Sequence, residues 1–377
     1  MQIVPGSEIN DDPYNPVSMH ARNLIAELGD DTPIEWVHRS FRYGEKLATP
    51  DTSVADLIGE VDPIKVAEGR YLSDELTIHY GLIPRTNRGI FAINELPDLS
   101  ERIQVGLLNV LEARDVQVRG YKIRLPLDVM LVATANPEDY TNRGRIITPL
   151  KDRFGAQVRT HYPLDVETEI FVVKQESETP DIGIKVEVPE FMHEVIATLT
   201  HLARASSQIN QRSGVSVRLT VANTETIVAN ALRRALLLGE PVAVPRISDL
   251  DALASSTSGK IEIESMDDGR DEHVVEKLIK SAVLTVFKER CAIDQFRDVP
   301  TSFEGGTIVH AGDDVPASSY ADVVKMVPSL AGPAQELAGS EDPPAIASAI
   351  EFILEGLHLS KRLNKDAAGG KVAYRAR

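Results

Sequence analysis

Four short stretches carry side chains whose types and order suit chemistry on an anionic ligand. Gly89-Ile90-Phe91-Ala92-Ile93-Asn94-Glu95 is an apolar run ending in an amide–acid pair, and Leu131 to Asn136 is a second run ending in an asparagine. Asp152-Arg153-Phe154-Gly155 follows a proposed helix, and Ser216-Val217-Arg218 opens another. A carboxylate can polarise water, an amide can hold an oxygen, and guanidinium groups neutralise anionic charge. In open α/β sheets, ligands sit beyond the carboxyl ends of the strands, which is where Glu95 and Asn136 fall.

The elements that must position these residues follow from the apolar pattern. The runs 89–93 and 129–133 are short and continuously apolar, as in strands covered on both faces of a parallel sheet. Between them Ile103, Leu107, Leu108 and Leu111 recur at helical spacing behind Asp98 and Glu101, a capping-box pattern. Val116, Val118, Tyr121, Ile123 and Leu125 alternate, which predicts a hairpin turning at Gly120. Beyond Pro163 the pattern turns helical, with helices expected at about 189–202, 221–238, 271–290 and 345–363. Residues 304–344, rich in Gly, Ala, Ser, Pro and Asp, read as a flexible connection, and the basic tail Lys371 to Arg377 as a disordered terminus. The expected domains are an α/β core over 1–163, a helical lid over 164–250 and a helical extension over 251–377.

Taken together, the four stretches resemble the AAA+ ATPases, in the branch of the magnesium-chelatase ATPase subunit and the MoxR-type ATPases. The resemblance covers most of residues 1–250, including Asp56-Leu57-Ile58-Gly59-Glu60 leading into Gly69 to Gly89, which matches the helix insert of this branch. It implies that Ile90 to Glu95 is the Walker B strand, with Glu95 polarising the attacking water. Asn136 is then sensor 1, Arg153 the arginine finger reaching a neighbouring subunit, and Arg218 sensor 2 on the lid. Phosphoryl transfer is mostly positioning plus charge stabilisation, which these residue types supply. The implied ligands are ATP and Mg2+. The implied assembly is a hexamer-like ring of identical subunits, with a von Willebrand A domain protein as a possible partner. The expected fold is an incomplete AAA+ core, a parallel sheet flanked by helices, followed by the all-α lid and extension.

Two features depart from that pattern. The Walker B pair is Asn94-Glu95 rather than Asp-Glu, so Asn94 would approach magnesium only through water, as an amide acceptor. No G-x-x-x-x-G-K-[ST] loop occurs in the chain: Gly259-Lys260 and Gly370-Lys371 lack both the upstream glycine and the hydroxyl residue. The resemblance then implies a P-loop unit lying outside this sequence, with Ile3-Val4 as the second strand of the core. The absent strand would fall between the one ending near Asn136 and another near Gln157 to Thr160, leaving both edges unpaired. A chain without the loop is expected to be inactive alone.

Each residue also has a purely structural reading. Glu95 could be a strand-end acid, Asn136 the turn residue of an Asn-Pro pair, Arg153 an ion-pair partner of Asp152 or Glu138, and Arg218 a helix cap or a partner of Glu225. Arg143 and Arg145, flanking Gly144, fit a solvated loop or a ligand contact. Two rival functions remain: a non-catalytic ATPase-like scaffold, and a transcriptional activator acting on an alternative sigma factor. The second lacks a Gly-Ala-Phe-Thr-Gly-Ala-like loop and a carboxyl-terminal helix-turn-helix.

Composition narrows the classes further. With 40 Lys+Arg against 57 Asp+Glu, the net charge of -17 opposes nucleic-acid binding by the chain as a whole. The single cysteine, Cys291, excludes an intramolecular disulfide framework and a multi-cysteine zinc site. No apolar run is long enough to span a membrane, and a cytoplasmic location is expected.

Overall fold

The computed structural model describes residues 1–377 apart from 63, 65–66, 68–74, 113–114, 118–123, 137–143, 212, 264–270 and 369–370. The chain forms two compact units, Met1–Arg159 and Thr160–Arg377. The expected hairpin turn at Gly120, together with Glu138 and Arg143, lies outside the described residues.

The first unit is built on a parallel sheet. Its elements are β1 (Gln2–Ile3), α1 (Met19–Leu28), β2 (Glu35–Trp36), β3 (Tyr43–Leu47), β4 (Gly59–Val61), β5 (Ile78–Tyr80), β6 (Gly89–Asn94), α2 (Glu101–Glu112), β7 (Asp115–Gln117), β8 (Arg124–Pro126), β9 (Val129–Ala133) and α3 (Thr148–Lys151). The sheet runs β3-β6-β9, all parallel, with Tyr43 opposite Ile90 opposite Met130. The two apolar runs are therefore strands, as their composition requires. Phe91 and Ile93 point to one face and are fully buried, packing with Ile103 and Leu107 of α2. β7 and β8 pair as the two arms of the expected hairpin.

Three expectations are corrected in this unit. Ile3-Val4 is not a strand of the parallel sheet: β1 pairs antiparallel with β2, and Pro5-Gly6 turns the chain away at once. The place beside β6 is taken by β3, whose Glu45 and Lys46 suit an edge strand and hide it from an apolar-run search. Asp98 belongs to a 3-10 turn, Leu96–Asp98, rather than to the cap of α2. No strand forms near Gln157 to Thr160, because with no partner strand beside it this polar, exposed segment has no ladder to join.

The second unit comprises α4 (Val166–Glu176), β10 (Lys185–Val186), α5 (Glu190–Ala205), α6 (Val217–Leu238), β11 (Val242–Ala243), α7 (Asp271–Arg290), β12 (Val309–Gly312), α8 (Tyr320–Met326), α9 (Ala331–Ala338), α10 (Pro343–Leu359), β13 (Asn364–Ala368) and β14 (Lys371–Arg375). Its core joins Phe191, Phe287 and Phe352, whose rings stack within 4.6–6.0 Å. α10 crosses α7 so closely that a Cβ on Gly356 would lie 2.2 Å from the Phe287 ring.

Two further expectations are corrected here. Residues 304–344 are built into the core: β12, α8, α9 and the turn between α8 and α9 bury Val309, Tyr320, Val327, Leu330 and Ala334. Small residues that read as loose in sequence here allow close packing. The basic tail forms β14, the central strand of the β12-β14-β13 sheet. Its inward residue Tyr374 is buried and donates to Glu355 at 2.6 Å.

Around these strands lies a buried polar network. Arg234 bonds Asp249 at 2.6 Å, and Arg246 bonds Glu240 at 2.9 Å. Glu351 accepts from Ser248 N–H at 3.0 Å and from the Tyr320 hydroxyl, and burial raises its carboxyl above the ordinary range.

Two outcomes follow. Tyr374→Ala should destabilise the second unit by about 3–5 kcal/mol in urea denaturation, as for a buried aromatic; an unchanged midpoint would return the tail to a dispensable role. His193, on α5, has its imidazole pushed down to about 4 from 6.5, chiefly by burial and then by Lys174. The folded state thus binds fewer protons than the unfolded one between those values, and stability is lost as pH falls from 6.5 toward 4. His193→Gln should flatten that loss in melts at pH 7 and pH 5 relative to the parent.

Candidate functional site

The carboxyl ends of β6 and β9 are spliced together by backbone and hydroxyl bonds. Thr134 N–H donates to Ile93 O at 2.9 Å, and Leu96 N–H donates to Thr134 O at 2.9 Å. On the far side Ala48 N–H donates to Asn94 O at 2.8 Å. Asn94 and Glu95 thus leave the sheet at its centre, both half-buried. Asn136 follows two residues after Thr134 and is exposed.

Glu95 is held in an unusual backbone conformation, with φ 57° and ψ 50°. For a residue with a Cβ the left-handed region costs roughly 1–2 kcal/mol. Its N–H donates to Thr134 Oγ1 at 3.1 Å, and its carbonyl accepts from Asp98 N–H at 2.9 Å. The buried Leu96 and Pro97 anchor the turn behind it. The strain turns the Glu95 side chain out of the strand's alternation at the sheet end, and such outliers gather at functional positions.

A second segment is clamped against this turn. The backbone of Gly144 meets Pro97 so closely that an added Cβ would lie 2.3 Å from Pro97 O, so only glycine fits. Gln104, fully buried on α2, donates to Leu99 O at 2.9 Å and to Arg145 O at 3.0 Å, and accepts from Ile147 N–H at 2.9 Å. One side chain therefore ties the Glu95 turn to the segment that enters α3. Arg145 itself pairs with Glu101 at 3.7 Å. Arg153 follows α3, half-buried, with its guanidinium donating to Pro149 O at 2.8 Å.

Arg218 belongs to the second unit, exposed in the first turn of α6, where its N–H donates to Ser216 Oγ at 3.2 Å. That helix start is tightly fixed. Arg204 donates to Val215 O at 2.9 Å and grips the fully buried Glu169 with two bonds of 2.6 and 2.9 Å. The Thr220 hydroxyl also bonds Glu169, and the Arg204 guanidinium lies 4.6 Å from the Tyr162 ring centre. Glu225, an alternative partner for Arg218, accepts from Glu178 N–H at 3.1 Å.

Thr134, Gln104 and the Glu169–Arg204 clamp were not singled out from the sequence. Gln104 had a signal: it is a polar residue beside Ile103 on the apolar face of a helix. Thr134 had none, because its hydroxyl acts only once two strands lie side by side.

Residues 68–153 match the Sigma-54 interaction domain family. Over 156 residues the chain is 33% identical to the magnesium-chelatase 38 kDa subunit of Cereibacter sphaeroides, covering 38% of this chain and 43% of that protein. Over these residues the chain is similar to AAA+ proteins of the magnesium-chelatase kind.

The same subunit of Rhodobacter capsulatus is 33% identical over 136 residues, covering 33% of this chain and 36% of that protein. The chain thus spans less than half the length of the curated relatives it matches. Among solved structures, NtrX from Brucella abortus aligns at 19% identity and a TM-score of 0.37, over 65% of this chain and 52% of that one. A cryo-EM-based complex of the BchI and BchD subunits of magnesium chelatase aligns at 19% identity and a TM-score of 0.34, over 73% and 83%. No described helix is long and apolar enough to cross a membrane.

The AAA+ family implies nucleotide and Mg2+. The donor set at the sheet end fits the hydrolytic side of such a site, with a carboxylate and two amides on adjoining strand ends. The described residues contain no cluster of three or more His, Cys, Asp or Glu that would hold a metal by themselves. The chain has no glycine-rich phosphate loop, so the cradle for the inner phosphates is not among its residues.

The strain at Glu95 generates a prediction. Glu95→Gly should raise the stability of the first unit by about 1 kcal/mol, read as a higher urea midpoint, by relieving the left-handed strain. Gln104→Ala should act the other way, by about 1–3 kcal/mol, and speed hydrogen exchange at Ile147, whose N–H it leaves without an acceptor.

Proposed function

We propose that this chain supplies the hydrolytic half of an ATP-driven AAA+ subunit that works in a ring and remodels a partner protein. The observation that carries the reading is Glu95 held in a strained turn at the end of β6 and bonded to the end of β9, the strand that leads into Asn136. In this reading bound Mg2+ neutralises charge on the phosphates of ATP. Glu95 polarises water, and the Asn136 amide holds that water or the terminal phosphate oxygen. Asn94 would accept a hydrogen bond, through its amide oxygen, from water around that ion. Arg153 serves the site of the neighbouring subunit, and Arg218 serves its own site from the lid. Homo-oligomerisation in a hexamer-like ring follows from the role of Arg153, and a von Willebrand A domain protein is the candidate partner. Magnesium insertion into a tetrapyrrole is one reaction such a ring could drive.

A non-catalytic scaffold is the second reading. The absence of the phosphate loop from residues 1–377 and the Asn94-Glu95 pair favour it. The strained, clamped Glu95 opposes it, since a scaffold gains nothing from that strain.

Two measurements test the proposal. Residues 1–377 alone should show no rise in melting temperature with millimolar Mg-ATP; ligand at about 100 times its Kd would add roughly 2.7 kcal/mol, so a clear rise would refute the assignment of the missing cradle. In an assembly completed by a G-x-x-x-x-G-K-[ST] unit, Arg153→Ala should cut kcat by about 10³–10⁵ while ATP still binds. Mixing Arg153→Ala with Glu95→Gln chains should restore part of the activity at mixed interfaces. Full activity in the Arg153→Ala assembly would refute the cross-subunit role of that residue, and no hydrolysis by the completed parent assembly would favour the scaffold.

A further inference from the structure

A cavity of about 210 Å³ opens within the second unit, between α6, the 3-10 turn Ile247–Ala252, β12, α10 and the β13-β14 pair. It has room for about seven waters at roughly 30 Å³ each, or for one small organic molecule. Ile247, Ala311 and Val372 give it an apolar wall, and Ser248, Asp251, Asp313 and Glu351 a polar one. Glu351 and Tyr374 are each 1% exposed and form its floor, whereas Asp251 is exposed and stands at its mouth. None of these residues takes part in the nucleotide reading above.

The charges around the cavity do not cancel. Of the four charged side chains that line it, three are acids and the fourth is Lys365. Lys365 is already engaged: its ammonium donates to Glu355 at 2.9 Å and lies 5.9 Å from the Tyr374 ring centre. Arg233 bonds Asp313 Oδ2 at 2.8 Å, which leaves Asp313 Oδ1 buried without a hydrogen-bond partner. Ser248 donates its N–H to Glu351 at 3.0 Å, and its Oγ is likewise buried and unpartnered. Burial raises the Asp251 carboxyl above its ordinary range, and Lys365 offsets this only in part. Native interiors rarely keep orphaned polar atoms without a reason. These three groups all accept hydrogen bonds, so they call for a donor that carries positive charge. Among the described residues no three His, Cys, Asp or Glu side chains converge as a metal site does, so an organic cation suits the cavity better than a metal ion.

We propose that this cavity binds a primary alkylamine in its ammonium form, held by Ser248 Oγ, Asp313 Oδ1 and the Asp251 carboxylate, with the aliphatic stem along Ile247, Ala311 and Val372. An ammonium is a compact charge with three donors, which matches three acceptors drawn from the 3-10 turn and the end of β12. Ser248 needs only a turn about χ1 to reach it, since no hydrogen bond holds its hydroxyl. An anion would meet three acids, and a neutral alcohol would leave their charge uncompensated. The same alkylammonium chemistry is offered by a free amine and by a lysine side chain of a partner protein. Either would tie the 3-10 turn to β12 and so stabilise the second unit by mass action. The proposal does not rest on the nucleotide reading.

The test is calorimetric titration of the full 377-residue chain, in about 0.15 M salt to screen the general pull of a net charge of -17 on cations. The probes are diaminobutane, a lysine blocked at both main-chain ends, butanediol, succinate and Mg2+. At least one amine should bind saturably and one-to-one, and the diol and succinate should not bind. Asp251→Asn removes the charge at the mouth and Ser248→Leu fills the cavity. Each should weaken amine binding about tenfold or more, ~1.4 kcal/mol. Asp251→Asn should melt like the parent, since its side chain is exposed, so it decides the matter even if Ser248→Leu folds poorly. Asp322→Asn, which removes an exposed acid of α8 outside the cavity, should leave the affinity unchanged. Tighter binding of the blocked lysine assigns the cavity to a partner's side chain, and tighter binding of diaminobutane assigns it to a free amine. No saturable binding of either amine at millimolar concentration would overturn the proposal. So would equal binding of butanediol or Mg2+, or a loss on Asp322→Asn as large as that on Asp251→Asn.

Discussion

The first unit depends on the splice between the ends of β6 and β9. Thr134 donates through its N–H to Ile93, accepts from Leu96 at its carbonyl, and accepts from Glu95 N–H at its hydroxyl. These three bonds hold the chain in the left-handed turn that Glu95 occupies. They also fix where the β9 strand hands over to Asn136. Without them Glu95 would return to extended backbone, and the carboxylate would follow the strand's alternation instead of standing at the sheet end. Gln104 and the Gly144–Pro97 contact extend the same constraint to the segment entering α3, so Arg153 is registered against the same turn. A site that must place several groups to within a fraction of an ångström is served by such overlapping ties.

The second unit uses a different device for a similar end. Its helices are fixed by buried charges that satisfy one another: Glu169 with Arg204, Asp249 with Arg234, and Glu240 with Arg246. Breaking one partner of such a pair costs more than the pair contributes, because the other charge stays buried. The Glu169–Arg204 clamp reaches furthest, since Arg204 also holds the carbonyl of Val215, one residue before the Ser216 cap of α6. The orientation of Arg218 thus depends on groups far from it in sequence.

The sequence determined the strands at 89–94 and 129–133, the helix between them, the long helices of the second unit and the order of Glu95, Asn136, Arg153 and Arg218 along the chain. Those features are local: continuous apolar runs and 3.6-residue periodicity survive in any environment that offers a core. Tertiary structure alone decided the rest. β3 was hidden because its Glu45 and Lys46 make sense only on a sheet edge. The segment 304–344 and the tail read as loose because small and basic residues carry little local preference, yet Tyr320 and Tyr374 gain buried carboxylate partners from α10, Glu351 and Glu355. The left-handed turn at Glu95 has no sequence signature, since no glycine or asparagine marks it. It exists because the Thr134 hydroxyl, 39 positions away, happens to face its N–H once two strands lie parallel.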